Sequence, residues 1–237
     1  MASQSPYKQG VAGNSPKIDG GMAWPIDGQS AASHNVSSVR IHQAGEELFR
    51  QGSFPHGVYF INSGYVKLSS VDSDGRELIV GLLSTRSMVG ATAVILQRPY
   101  RISASTITTC ELSYISSDLF ISLLKRDSQF SWLVQVEQSR ETYERVTHIV
   151  QLGCSSARQR LEELFWKLAS ATTLGEGQKD ARIALPLKQW EVAQLLAITP
   201  EHLNRVVKQM QREGILQWKK GVVVILDLQS LRHSTNL

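Results

Sequence analysis

Leu187–Gly214 reads LKQWEVAQLLAITPEHLNRVVKQMQREG, and its two apolar periods decide what the C-terminal third of the chain is. Val192, Leu195 and Leu196 recur at helical spacing and make the inner face of a first helix. Ala197 and Ile198 leave room only for a short turn. Thr199 then stands as an N-cap, with Pro200 at the first helical position, where a missing N–H does no harm. Leu203, Val206, Val207 and Met210 form the inward stripe of a second helix. Glu201, Arg205 and Lys208 follow at i, i+4 and i+7 on its opposite face, with Asn204 beside them. Two helices, a tight turn and a polar second helix predict a helix-turn-helix whose second helix enters the major groove of DNA.

The chemistry of that face fits the docking. An Arg fork donates twice to guanine O6 and N7, and a carboxylate accepts from cytosine N4, so Glu201 and Arg205 can read neighbouring base pairs while holding each other in place. A solvated helix with an ordinary i, i+4 salt bridge would carry the same pair. The flanking sequence separates the two readings. Trp218–Leu226 holds Lys219-Lys220-Gly221 and the β-branched run Val222–Ile225, which reads as a wing with two lysines for phosphates. Lys188, Gln189, Thr199, Pro200 and His202 complete the expected DNA-binding surface. Residues 154–237 hold 12 Lys/Arg and 8 Asp/Glu, against 13 and 13 in residues 1–153, so the whole net charge of +4 lies in the part expected to meet DNA.

Moving toward the N-terminus, Arg158–Ala171 carries Leu161, Leu164, Phe165 and Leu168 on one helical face, with Ser155 or Ser156 as its cap. Ser131–Leu152 contains no Gly or Pro and is expected to break at Gly153. In it Trp132, Val136, Ser139, Tyr143, Val146 and Val150 repeat with gaps of four and three, a heptad seam suited to a two-helix dimer contact, part of which could also pack on the chain's own β-domain. From about Val39 to Ile115 short alternating segments are cut by glycines, and Asp72-Ser73-Asp74-Gly75 joins two of them as a hairpin turn. Several strands at that spacing predict a β-sandwich, roll or barrel. Residues 1–38, with 5 Gly, 7 Ser and 3 Pro, read as a flexible tail, the alternative being a strand addition near Trp24–Ile26. The expected divisions are therefore a tail (1–38), a β-roll (39–128), a dimerisation helix (129–153) and a winged helix-turn-helix (154–237).

Composition narrows the class further. With 42% hydrophobic and 19% charged residues the chain reads as an ordinary soluble globular protein. No apolar run approaches membrane-spanning length and no secretory signal is visible, so a membrane partner is not expected and the cytoplasm is. Cys110 and Cys154 make no disulfide framework, and each reads as an inert buried thiol.

The chain resembles the cyclic-AMP receptor / fumarate-nitrate reductase regulator (CRP/FNR) family over about residues 39–232. The residues that carry the resemblance are Ala44-Gly45-Glu46, Phe49-Arg50-Gln51-Gly52, Val58-Tyr59-Phe60-Ile61, Ser63-Gly64-Tyr65-Val66-Lys67-Leu68 and Thr199-Pro200-Glu201-His202-Leu203-Asn204-Arg205. The resemblance implies an α+β protein: an N-terminal double-stranded β-helix (a cyclic-nucleotide-binding-like jelly-roll), a long dimerisation helix, and a C-terminal winged helix-turn-helix. It implies a homodimer on a palindromic pair of TGA-like half-sites, with Glu201 and Arg205 on a G·C pair, and with RNA polymerase and a small-molecule effector as further partners. Where the fumarate-nitrate branch has a Ser before the Arg, this chain has Asn204.

The sensor half departs from the family pattern. Cyclic-nucleotide binders carry Gly-Glu and, about ten residues on, Arg-Ser or Arg-Thr, the Glu for the ribose hydroxyl and the Arg for the phosphate. The matching effector-binding residues here are Gly90, Ala91, Thr92, Arg101, Ser103 and Ala104, with Ala91 in place of the Glu and Ile102 between Arg101 and Ser103. An intervening residue in a strand turns Arg101 to the opposite face. Ordinary cyclic AMP binding is therefore not expected. No cofactor is identified: the tail has no cysteine for an iron-sulfur cluster, and the histidines show no HxH or HExxH spacing, so no metal and no catalytic residue are assigned. Two alternatives stand beside this reading, a cyclic-nucleotide-responsive regulator of the same architecture and a cupin-like enzyme on the β-roll.

Overall fold

A computed structural model describes residues 39–172, 181–185, 187–219 and 221–232. The expected tail, with its alternative strand, and Lys220 of the wing lie outside the described residues. The first half is built from strands β1 (Arg40–His42), β2 (Glu47–Phe49), β3 (Gly57–Ser63), β4 (Val66–Val71), β5 (Glu77–Leu83), β6 (Met88–Val89), β7 (Ser103–Thr106) and β8 (Cys110–Ser116). They pair antiparallel into two four-stranded sheets, β1-β8-β3-β6 and β2-β7-β4-β5. Phe49, Ile61, Val66, Leu68, Val89 and Leu112 come from both sheets and share one core. Burying each such side chain contributes about 1.5–3 kcal/mol.

The β4–β5 hairpin closes as its sequence predicts. Asp72 Oδ1 accepts from the backbone N–H groups of Asp74 and Arg76, both at 2.9 Å, and Gly75 takes φ 79°. Gly64, at φ 93°, leads into β4 where a Cβ would lie 2.6 Å from Cys110 Sγ and from the Thr109 carbonyl, so no other residue fits. A short helix, α1 (Ala91–Leu96), interrupts the roll, and α2 (Ser117–Arg126) leaves it.

Next comes α3 (Ser128–Cys154), capped by Asp127, whose Oδ1 accepts from the N–H groups of Gln129 and Phe130 at 3.0 Å. Its first turns are anchored: Phe130 and Val134 are buried, and the Phe130 ring meets Phe120 edge-on at 5.6 Å. The helix does not break at Gly153 as expected but continues through it. A helical glycine is unfavourable by only about 1 kcal/mol. The stronger signal sits at Ser156, whose N–H donates to Gln159 Oε1 at 2.8 Å while the Gln159 N–H donates to Ser156 Oγ at 3.3 Å. That reciprocal cap starts α4 (Ala157–Thr172) and sets where α3 must end.

The last part comprises α4, β9 (Ala181–Ala184), α5 (Gln189–Leu195), α6 (Pro200–Arg212), β10 (Leu216–Lys219), β11 (Val222–Ile225) and α7 (Leu228–Arg232), the strands pairing in the order β10-β11-β9. Its core gathers Leu161, Phe165, Val192, Leu203, Met210 and Trp218, the last edge-on to Phe165 at 5.7 Å. Tyr65, Leu82 and Ile107 of the roll pack against the same core. The architecture is α+β: a jelly-roll of two four-stranded sheets, a long helix and a winged helix-turn-helix.

Candidate nucleic-acid interface

The turn between α5 and α6 is tight because Ala197 takes a left-handed conformation, φ 50°, which is unfavourable by roughly 1–2 kcal/mol for a residue with a Cβ. Backbone bonds from Ala197 to Gln194 (2.9 Å) and from Ile198 to Ala193 (3.0 Å) hold it. Thr199 then caps α6, its Oγ1 accepting from the His202 N–H at 3.2 Å, with Pro200 in the first turn. Burial divides α6 as its sequence predicts. Leu203, Val206, Val207 and Met210 are buried, Glu201, Asn204, Arg205 and Lys208 are exposed, and His202 is half-buried. Lys188 and Gln189 are exposed at the start of α5, and Lys219 is exposed on β10.

One expectation about this face is corrected. Glu201 and Arg205 do not hold each other: among the described residues no ion pair joins them. The Glu201 carboxyl is held below the usual carboxylate range by its own backbone N–H first and the Thr199 hydroxyl second, with the Arg205 charge a smaller influence. The N-cap rather than the arginine fixes the carboxylate, which leaves the Arg205 fork open to solvent.

Two ion-pair groups that sequence reasoning missed hold the two helices, one at the end of α6 and one on α5. Arg158 of α4 places Nε 2.8 Å from Glu162 and Nη2 2.6 Å from Glu213 just past α6, tying the two helices together. Those two carboxylates push the Arg158 guanidinium up from its ordinary value. Lys67 of β4 reaches Glu77 at 3.2 Å and Glu191 of α5 at 3.4 Å, and all but a small part of the Lys67 and Glu191 side chains is buried. Glu191 also accepts from the Lys188 N–H at 2.9 Å, so one carboxylate both starts α5 and ties it to the roll. The i, i+4 spacing of Arg158 and Glu162 was the signal that could have found the first group, whereas nothing local pointed to Lys67.

The long helix presents its expected seam outward. Trp132 is 65% exposed, Tyr143 75% and Val146 54%, with Ser139 and Val150 also exposed and Val136 half-buried. Ile149, 66% exposed, and Leu152 widen the stripe beyond the residues the heptad spacing picked out.

The six expected effector residues fall in two segments, 90–92 around the start of α1 and 101–104 around the start of β7. Gly90, at φ 95°, precedes α1, and Ala91 and Ala104 are buried. The Thr92 hydroxyl bonds Gln138 of α3 at 3.1 Å, and Ser103 Oγ accepts from the Gln51 N–H at 2.9 Å. Arg101 is exposed in the bend before β7, so it is not turned over within a strand as expected but lies outside the strand altogether. A cavity of about 540 Å³ opens elsewhere, between the β4–β5 hairpin, α3 and α4, and none of the six lines it. Cys110 is buried, its thiol donating to the Tyr65 carbonyl at 3.3 Å, whereas Cys154 is exposed, against expectation. Cys154 is the last residue of α3, where the helix gives way to the loop before α4. Among the described residues no three His, Cys, Asp or Glu side chains group as a metal cage. Among the same residues no helix is long and apolar enough to cross a membrane.

Comparisons with known proteins match both halves. A cyclic nucleotide-binding domain model matches residues 39–127, and a Crp-like helix-turn-helix domain model matches residues 159–234. The transcriptional activator protein FnrA of Stutzerimonas stutzeri is 27% identical over 195 residues, 81% of this chain and 78% of that protein. The CRP-like protein Clp of Xanthomonas euvesicatoria pv. vesicatoria is 24% identical over 185 residues, 76% and 80% of the two. Among solved structures, FixK2 from Bradyrhizobium japonicum shares the fold with a TM-score of 0.74 at 19% identity, covering 85% of this chain and 98% of that one.

Proposed function

The chain belongs to the CRP/FNR family of transcription regulators, and on that footing we propose that it binds DNA as a homodimer on a palindromic pair of TGA-like half-sites, with Glu201 and Arg205 reading a G·C pair in each. The observation that carries this reading is the division of α6, with its apolar stripe buried and Glu201, Asn204, Arg205 and Lys208 exposed together. Thr199, Pro200, His202, Lys188, Gln189 and Lys219 flank that face and are assigned to the phosphates and sugar edges; Lys220 is assigned with Lys219 from sequence. A regulator so built acts with RNA polymerase in the cytoplasm, under an effector held by the N-terminal half.

Selection from a random DNA pool tests the reading. The purified protein is expected to enrich inverted repeats whose half-site centres lie about one helical turn, ~34 Å, or a multiple of it apart. Enrichment of single, unpaired sites or of no sequence at all would defeat it.

Cyclic AMP is expected not to bind at physiological concentration. Ala91 offers the ribose hydroxyl no acceptor, and losing a charged hydrogen-bond partner weakens binding by about 1.5–3 kcal/mol, or one to two decades. Arg101, exposed in its bend, is not directed by a strand toward a phosphate. Titration calorimetry on nucleotide-free protein checks this, and a micromolar dissociation constant with DNA affinity rising in step would sink it.

A further inference from the structure

We propose that the cavity between the β4–β5 hairpin, the second half of α3 and α4 binds a small organic anion with an apolar body, gripped by Arg160. Resting on the reading of the chain as an effector-controlled regulator, this names the class of that effector and places its charge grip on α4, beside the N-terminal roll and not within it. The cavity, about 540 Å³, is of the size that small-molecule ligands occupy. Its apolar wall comes from Leu68, Val80 and Leu82 of the roll and Leu164 and Leu168 of α4. Gly81 lines it too, and a Cβ there would already meet Leu68 Cδ1 at 3.5 Å, so a branched side chain would crowd that wall.

Charge gives the wall its direction. Four Lys/Arg line the cavity against three Glu. Each Glu is matched on its own helix: Glu141 by Arg145, Glu144 by Arg140, and Glu163 by Lys167 at 3.4 Å. Arg160 is the cation left over. Its Nη1 donates to the Leu152 carbonyl at 3.2 Å, while its Nε is buried and has no partner among the described residues. A buried donor without an acceptor is unfavourable, and an anionic oxygen would supply the missing acceptor. His148 registers the same excess: burial first, then the charges of Lys167 and Arg160, push it below its ordinary value.

Apart from Ile149, which borders both, the site lies on a different side of α3 from the dimer stripe. At 100° per residue the cavity-facing positions 140, 144, 148 and 151 point about 130° away from 139, 143, 146 and 150. One helix can therefore hold a partner on one side and a ligand on the other. A ligand there would touch the roll, α3 and the DNA-binding half at once, which is the differential contact an effector needs.

Calorimetry on the full chain tests the site with octanoate, octyl phosphate and 1-octanol as probes. The two anions are expected to bind at least about tenfold more tightly than the alcohol, and whichever of them binds more tightly identifies carboxylate or phosphate as the head group. Arg160→Gln should erase that preference and leave 1-octanol unchanged. If that variant proves unfolded by circular dichroism, Gly81→Val serves instead and should weaken all three probes. The proposal is overturned if 1-octanol binds as tightly as the anions, or if both folded variants bind octanoate like the native chain. Operator affinity, read separately by fluorescence anisotropy, keeps the two readings apart. Octanoate binding that leaves it unchanged removes the effector role, whereas no operator binding at all removes the DNA reading and leaves the anion site standing.

Discussion

Tyr143→Glu and Val146→Glu are expected to convert a dimer into monomers and to lower operator affinity by several orders of magnitude. Both side chains lie on the exposed stripe of α3 and touch none of the core, so circular dichroism and thermal unfolding should barely change. Two-fold pairing would bring each substitution to face its own copy or a neighbour across the seam. Every apolar side chain taken out of water contributes about 1.5–3 kcal/mol, so losing two pairs and gaining like charges outweighs an interface built on one helix per protomer. The loss then passes to DNA, because two linked reading heads gain roughly 10²–10⁴ in avidity over one. Sedimentation velocity at micromolar concentration decides it. A native chain that sediments as a monomer would remove the basis of the prediction, as would double-glutamate protein that still sediments as a dimer.

What could be read from sequence follows the range of the interactions. The helix-turn-helix was legible because its cues are local: the Thr199-Pro200 start, a four-residue apolar stripe and a three-residue polar one fall within a single span of α6. The hairpin at Asp72–Arg76 was legible for the same reason. Lys67 and Glu191 stand 124 positions apart and meet only once β4 and α5 are folded against each other, so no spacing announces them. The cavity belongs to the same class, with lining residues drawn from positions 65 to 196. Gly153 misled by one residue: Ser156 was legible as a candidate for the next cap, but its reciprocal bond with Gln159, which starts α4 and lets α3 run to Cys154, was not weighed. Arg101 misled because family spacing placed it in a strand, whereas the chain bends there and β7 starts two residues later. The heptad gaps picked out most of the exposed stripe of α3 but not Ile149, which lies beside the repeat.

Arg205→Ala is expected to lower affinity by roughly 1–3 kcal/mol per half-site, and so up to about 6 kcal/mol for a dimer on its palindrome. The loss should fall on one base pair. Arg205 is exposed on α6, ion-paired with nothing among the described residues, and backed by a buried stripe that fixes the helix's orientation. Its fork therefore enters the groove without first leaving a protein partner, and nearly all of the guanine interaction appears as affinity. Deleting it should flatten discrimination at the matching G·C position while the salt dependence stays near that of the native protein, because no phosphate contact is lost. Lys219→Ala supplies the opposite pattern. A wing lysine over phosphate should weaken cognate and random DNA alike and reduce the slope of log affinity against log salt by about 1. Anisotropy titrations of both variants on cognate, single-substituted and random duplexes across a salt series separate the two. Equal weakening of cognate and random DNA by Arg205→Ala would make Arg205 a phosphate anchor and end the base-reading assignment.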